Sequence, residues 1–140
     1  MRTLVASLAA IVVVPSATAK DFGPGDLRVC NTKRCVPIER RDVLPALGSF
    51  YYGTDGADPA VALPPSMGAR AYELRFRNGY ATGIVAGARL DRFLSYGVNL
   101  GRFARGRWYL VPNGLAAELR RLVKPLAPLR VTQASLARSR

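Results

Sequence analysis

The sequence predicts an α+β protein, a small single domain of antiparallel β-hairpins packed against two amphipathic helices. Three observations point there. Two β-prone runs, 70–77 and 80–86, flank Asn78-Gly79, the pair favoured in two-residue hairpin turns. Cys30 and Cys35 face each other across the polar run Asn31-Thr32-Lys33-Arg34. Two further stretches, after Asp42 and after Asn113, repeat apolar residues at helical spacing. The length of 140 residues suits one such domain.

The chain opens on Arg2, an apolar run from Leu4 to Val14 interrupted by Ser7, and Ala17-Thr18-Ala19, the small-x-small pattern of a secretory leader. Residues 1–19 are therefore expected to be a cleaved signal peptide, 20–130 the domain and 131–140 a flexible basic tail. The apolar run is shorter than the roughly 20 residues of a spanning helix, so no transmembrane segment is expected in the mature protein. This address, secreted or extracytoplasmic, makes a Cys30–Cys35 disulfide the natural use of the two cysteines. Their C-x4-C spacing differs from the C-x2-C of redox pairs.

The segments around the cysteines, 27–30 and 35–38, read as two short strands joined by a tight turn. Asp42 can cap a helix in which Pro45 sits harmlessly in the first turn. Val43, Leu44, Leu47, Phe50 and Tyr51 share its apolar stripe, Tyr52 stays near the surface, and Gly53 ends it as a left-handed cap. Residues 54–67 read as an irregular stretch rich in Gly, Pro, Ala and Asp. Asp55 and Asp58 there lack the alternating acidic ligands and terminal Glu of a calcium loop.

A type I′ turn at Asn78-Gly79 sets a register for the central hairpin. Arg77 then opposes Tyr80, Arg75 opposes Thr82 and Glu73 opposes Ile84 on an outer face; Phe76, Leu74 and Tyr72 oppose Ala81, Gly83 and Val85 on the buried one. Large residues facing Ala81 and Gly83 suggest close packing there, plausibly by a helix. Residues 89–96 suit helix and strand equally. A strand is expected over 107–111, followed by a helix capped by Asn113 with Leu115, Leu119, Leu122 and Val123 as its stripe, Glu118 able to pair with Arg121, and Pro125 as its stop.

Composition bounds the chemistry. Without histidine the chain cannot build Ser-His or Cys-His nucleophile pairs, and paired cysteines remove thiolate chemistry and the usual zinc ligands. Neither of the common glycine-rich nucleotide-phosphate loops is present, so no cofactor, metal site or catalytic residue is assigned. The formal net charge is +12, in which arginine outnumbers lysine. That field favours an anionic polymer or an acidic protein surface, while the exported address and the lack of a recognition motif argue against nucleic acid. The expected contact residues are Arg75, Arg77 and Tyr80, with Thr82, on the outer hairpin face, and Arg105 and Arg107, with Arg102, around a glycine turn. Guanidinium forks bind phosphate or carboxylate, and a tyrosine offers a flat surface beside them. The same residues also suit a solvated face whose charges discourage edge pairing.

The function these residues suggest is an exported, non-enzymatic binding domain that contacts anionic envelope material or an acidic partner through arginines. Two alternatives accompany it. One is a small glycoside hydrolase using a pair of carboxylates. The other is a protease inhibitor that presents the disulfide-clipped tip Thr32-Lys33-Arg34.

Overall fold

The computed structural model describes residues 26–39, 43–53, 58–96 and 102–137. The leader and Asp42 lie outside these residues. Ten elements follow in chain order: β1 (Leu27–Cys30), β2 (Cys35–Pro37), α1 (Val43–Tyr52), β3 (Arg70–Phe76), β4 (Ala81–Ala86), β5 (Arg92–Ser95), β6 (Trp108–Leu110), α2 (Asn113–Leu122), β7 (Leu129–Arg130) and α3 (Gln133–Ala137). They form a mixed α/β domain with an antiparallel sheet and a few helices.

All seven strands join one sheet, in the order β2-β1-β3-β4-β5-β6, with β7 added to β3. One edge of β3 is shared: β1 pairs with residues 73–76 and β7 with Arg70 and Ala71. The two expected hairpins are thus parts of a single ladder. Along each strand the apolar residues alternate between two faces, as the pleat requires. Leu27, Val29, Tyr72, Leu74, Val85, Phe93 and Tyr109 pack with Leu47, Phe50 and Tyr51 of α1 and with Leu115, Ala116 and Leu119 of α2. Ala71, Ile84, Ala86, Leu94, Trp108 and Val131 form a second cluster, with Leu136 of α3 against it.

Aromatic rings fill the centre of the first cluster. Phe50, Tyr51, Phe93, Phe103 and Tyr109 meet mostly edge to face, with Phe103 and Tyr109 4.8 Å apart. Such tilted contacts place ring edges against ring faces, the favourable quadrupole arrangement. Tyr52 is exposed, and Gly53 ends α1 with φ +66° while its N–H donates to the Ser49 carbonyl at 2.8 Å.

The central hairpin departs from the expected turn. The Gly79 N–H donates to the Phe76 carbonyl (2.9 Å) and the Phe76 N–H donates to the Tyr80 carbonyl (2.8 Å), so residues 77–79 form a three-residue loop. Gly79 alone takes the left-handed conformation there (φ +83°), whereas a type I′ turn needs it at Asn78 as well. The Asn78 side chain instead accepts the Tyr80 N–H at 3.0 Å. Pairing at the tip is consequently displaced by one residue, with Arg75 opposite Ala81, and a bulge restores the expected register at Leu74 and Gly83. Thr82 is the extra residue. It turns into the core, 1% exposed, rather than standing on the outer face beside Arg75.

Gly83 packs against the neighbouring strand and not against a helix: a Cβ there would lie 2.1 Å from the Leu94 carbonyl oxygen and 2.6 Å from the Phe93 ring. Within 89–96 the strand reading holds, as β5, after a turn in which buried Leu90 takes φ +53°. Helix α2 begins at Asn113 itself, with Pro112 as the N-cap residue and no side-chain cap. Glu118 pairs with Arg121 at 3.0 Å. Val131 is buried and α3 follows it, so residues 131–137, expected within a flexible tail, carry packed structure.

Cys30 and Cys35 form the disulfide, directly opposite each other in the β1–β2 ladder. Among the described residues no helix is long and apolar enough to cross a membrane.

Candidate functional site

Three arginines converge at the start of β3. Arg70 and Arg130 stand directly opposite each other in the β3–β7 ladder, and Arg92 begins β5 nearby. Together they line a cleft of about 770 Å³, walled on another side by Leu63, Pro64 and Pro65. Asp91 is the one acidic side chain in its lining, so three arginines against one aspartate leave a formal charge of +2.

Backbone carbonyls hold these guanidinium groups in place. Arg70 donates from Nη2 to the Ala88 carbonyl (2.7 Å), Arg92 from Nε to the Leu63 carbonyl (3.1 Å) and, more weakly, Arg130 from Nη1 to the Gly68 carbonyl (3.4 Å). A neutral acceptor fixes a guanidinium plane without cancelling its charge. Among the described residues, Arg92 alone of the three has an acidic partner, Asp91 Oδ2 at 3.1 Å. Arg70 also keeps its Nε buried and without any acceptor. A buried donor left unpaired costs about 1–3 kcal/mol, and like charges directly opposed in a ladder repel each other. An anion in the cleft would offset the repulsion.

A second cleft, about 570 Å³, adjoins the first and shares Asp91 with it. Asp58, Arg102 and Asn113 are its other polar side chains beside Ser49. Arg102 lies close against the end of α1, where a Cβ on Gly53 would collide with its guanidinium, and 5.9 Å from the Phe103 ring centre. Among the described residues no three His, Cys, Asp or Glu side chains are grouped to hold a metal ion.

The residues expected from sequence occupy the other end of the sheet. The 77–79 loop and the 104–107 turn are brought to that end because Gly83 pairs with Ser95, and the Ser95 N–H donates to the Arg107 carbonyl. Arg77, Tyr80, Arg105 and Arg107 are exposed there. Tyr80 stacks on Phe76 at 6.5 Å between ring centres. Arg75 donates from Nε to Glu73 Oε1 at 2.7 Å, and this bond holds its guanidinium more strongly protonated than usual. None of the five lines either cleft.

The clipped tip at 32–34 is exposed but folded. Asn31 Oδ1 accepts the N–H groups of Lys33 and Arg34, both at 2.9 Å, and the Asn31 N–H donates to the Arg34 carbonyl. The Arg34 guanidinium is turned onto the Pro125 carbonyl. Arg70, Arg92 and Arg130 escaped the sequence reading because 22 and 38 residues separate Arg92 and Arg130 in turn from their neighbours in the set, and no local pattern links them.

Comparison with protein-family models, with curated proteins and with solved structures found no match for the chain.

Proposed function

We propose that the protein is a non-enzymatic binding domain for an anionic polymer, held in the cleft by Arg70, Arg92 and Arg130. The observation that carries this reading is Arg70 standing directly opposite Arg130 in the cleft, with no acidic partner of either among the described residues. A guanidinium fork aimed into a concave site suits carboxylate or phosphate groups, and the proline-lined wall offers apolar contact to the polymer between them. A chain-like ligand fits a cleft better than a flat acidic protein surface does. The Cys30–Cys35 disulfide, with the secretory leader expected from the sequence, supports an extracytoplasmic setting, where envelope polymers are the abundant anions.

The test is equilibrium binding of soluble polyglutamate and polyphosphate to the wild type and to a paired Arg70→Gln, Arg130→Gln variant. Removing two charge-assisted contacts weakens binding at least tenfold. Equal affinity in the two proteins rejects the cleft as the site.

The inhibitor alternative loses support from the folded tip, since a substrate-like loop needs an extended backbone and a free Arg34 side chain. The hydrolase alternative keeps one observation, Asp58 and Asp91 lining the same cleft. Hydrolysis of a glycan by the wild type that disappears in Asp58→Asn is the result that favours it.

A further inference from the structure

A second arginine pair, remote from the cleft, carries the same signature. On β1 the side chains of Leu27 and Val29 point to the helices, so Arg28 between them lies on the opposite face of the sheet. On β3, Leu74 and Phe76 point to the helices and Arg75 to that same opposite face. Arg28 and Arg75 are direct partners in the β1–β3 ladder, which sets their Cβ atoms about 5 Å apart. Two positive groups so placed repel unless something negative lies between them.

Glu73 lies on this face, and Arg75 already engages it through Nε. Arg28 has no acidic partner among the described residues, and its Nε is buried without an acceptor. Two arginines against Glu73 leave a formal charge of +1. Among the described residues the fork of Arg28 and the terminal nitrogens of Arg75 have no partner, and the two side chains stand side by side on neighbouring strands. Both carboxylates and phosphates pair with guanidinium groups, but the two non-bridging oxygens of a phosphodiester stand farther apart than those of a carboxylate and so span two neighbouring arginines more readily. A charge of +1 is balanced by a phosphodiester, which carries one negative charge.

We propose that Arg28 and Arg75 bind one phosphodiester group on the face of the sheet opposite α1 and α2. This site shares no residue with the arginine cleft and stands whether or not the cleft binds a polymer. Its ligand group occurs both in phosphodiester-linked polymers and in phospholipid headgroups.

Dimethyl phosphate isolates the group itself and is titrated at constant ionic strength into the Arg70→Gln, Arg130→Gln protein, in which the cleft is disabled. One-to-one binding is expected, at least tenfold weaker in a further Arg28→Gln variant, with acetate binding more weakly than dimethyl phosphate. Arg28→Lys keeps the charge and the packed stem but loses the fork, and is expected to weaken binding several-fold with the fold intact. Binding of dimethyl phosphate unchanged by either Arg28 replacement overturns the proposal, as does acetate binding equally well. Soluble poly(glycerol phosphate) and phosphatidylglycerol vesicles then distinguish the sources: Arg28→Lys is expected to weaken binding of at least one of them, and loss of neither overturns the proposal.

Discussion

The Tyr51 hydroxyl lies 3.1 Å from Thr82 Oγ1, joining the last turn of α1 to the bulge in β4 inside the core. Thr82 Oγ1 in turn donates to the Leu74 carbonyl at 3.2 Å, so the Tyr51 proton is directed at Thr82. The bulge produced by the three-residue hairpin loop is what turns Thr82 inward to meet it. Replacing either partner, in Tyr51→Phe or Thr82→Val, is expected to cost about 1 kcal/mol. The double variant should lose less than the sum, by at least about 0.5 kcal/mol, because both changes remove one bond. Urea unfolding of the four proteins measures this coupling.

Burial also makes the protein sensitive to alkaline pH through the same residue. Desolvation raises the Tyr51 hydroxyl well above its ordinary value of 10.0, so the folded protein keeps it neutral where the unfolded chain ionises. The contribution is fully present below that ordinary value and is lost progressively as pH rises beyond it. Stability measured from pH 9 upward should therefore fall more steeply in the wild type than in Tyr51→Phe. Parallel curves contradict the burial of the hydroxyl.

Gly83 occupies a position that no other residue fits. In Gly83→Ala the new methyl meets a backbone oxygen on β5, which cannot move without disturbing the ladder, and a ring in the middle of the aromatic cluster. A loss of about 3 kcal/mol is expected by overpacking, read as a lowered denaturation midpoint. Gly114, by contrast, has open space where a Cβ would go, so Gly114→Ala serves as the control and leaves stability unchanged or higher.

The disulfide closes a short ring, and reducing it or replacing both cysteines by alanine is expected to cost about 2 kcal/mol in the chain-entropy model. Because β1 is also tied to β3, the fold survives this loss. Calorimetry with and without reductant checks the magnitude, and a cooperative transition in both states checks the survival.

What was legible in the sequence follows from local chemistry. Alternation identifies 70–76 as a strand, and 81–86, which is buried on both faces, is recognised by its β-prone residues after the Asn78-Gly79 turn; the helical spacing of Leu47, Phe50 and Tyr51 identifies a buried stripe and leaves Tyr52 outside. The cysteine pairing follows from proximity alone. The turn at Asn78-Gly79 was misjudged because the dipeptide favours a two-residue turn only by a left-handed preference, which here loses to the bond from the Tyr80 N–H to the Asn78 side chain. One displaced residue at the tip was enough to bring Thr82 from the surface into the core.

The cleft was illegible for a different reason. Arg70 and Arg130 meet because a two-residue strand near the end of the chain adds to the edge of β3 left free below β1. Nothing in Leu129-Arg130 marks it as a strand partner of a segment 60 residues earlier. Exposed arginines at the hairpin tip were visible from alternation alone, but convergence depends on long-range pairing.

Whether anions enter the cleft is tested most directly by following the arginine Nε–H resonances in an NMR titration with soluble polyglutamate. The signals of Arg70, Arg92 and Arg130 are expected to shift together and saturate at one affinity. Shifts confined to Arg77, Arg105 and Arg107, with the three cleft arginines unmoved, would place the binding surface at the opposite end of the sheet and contradict the account.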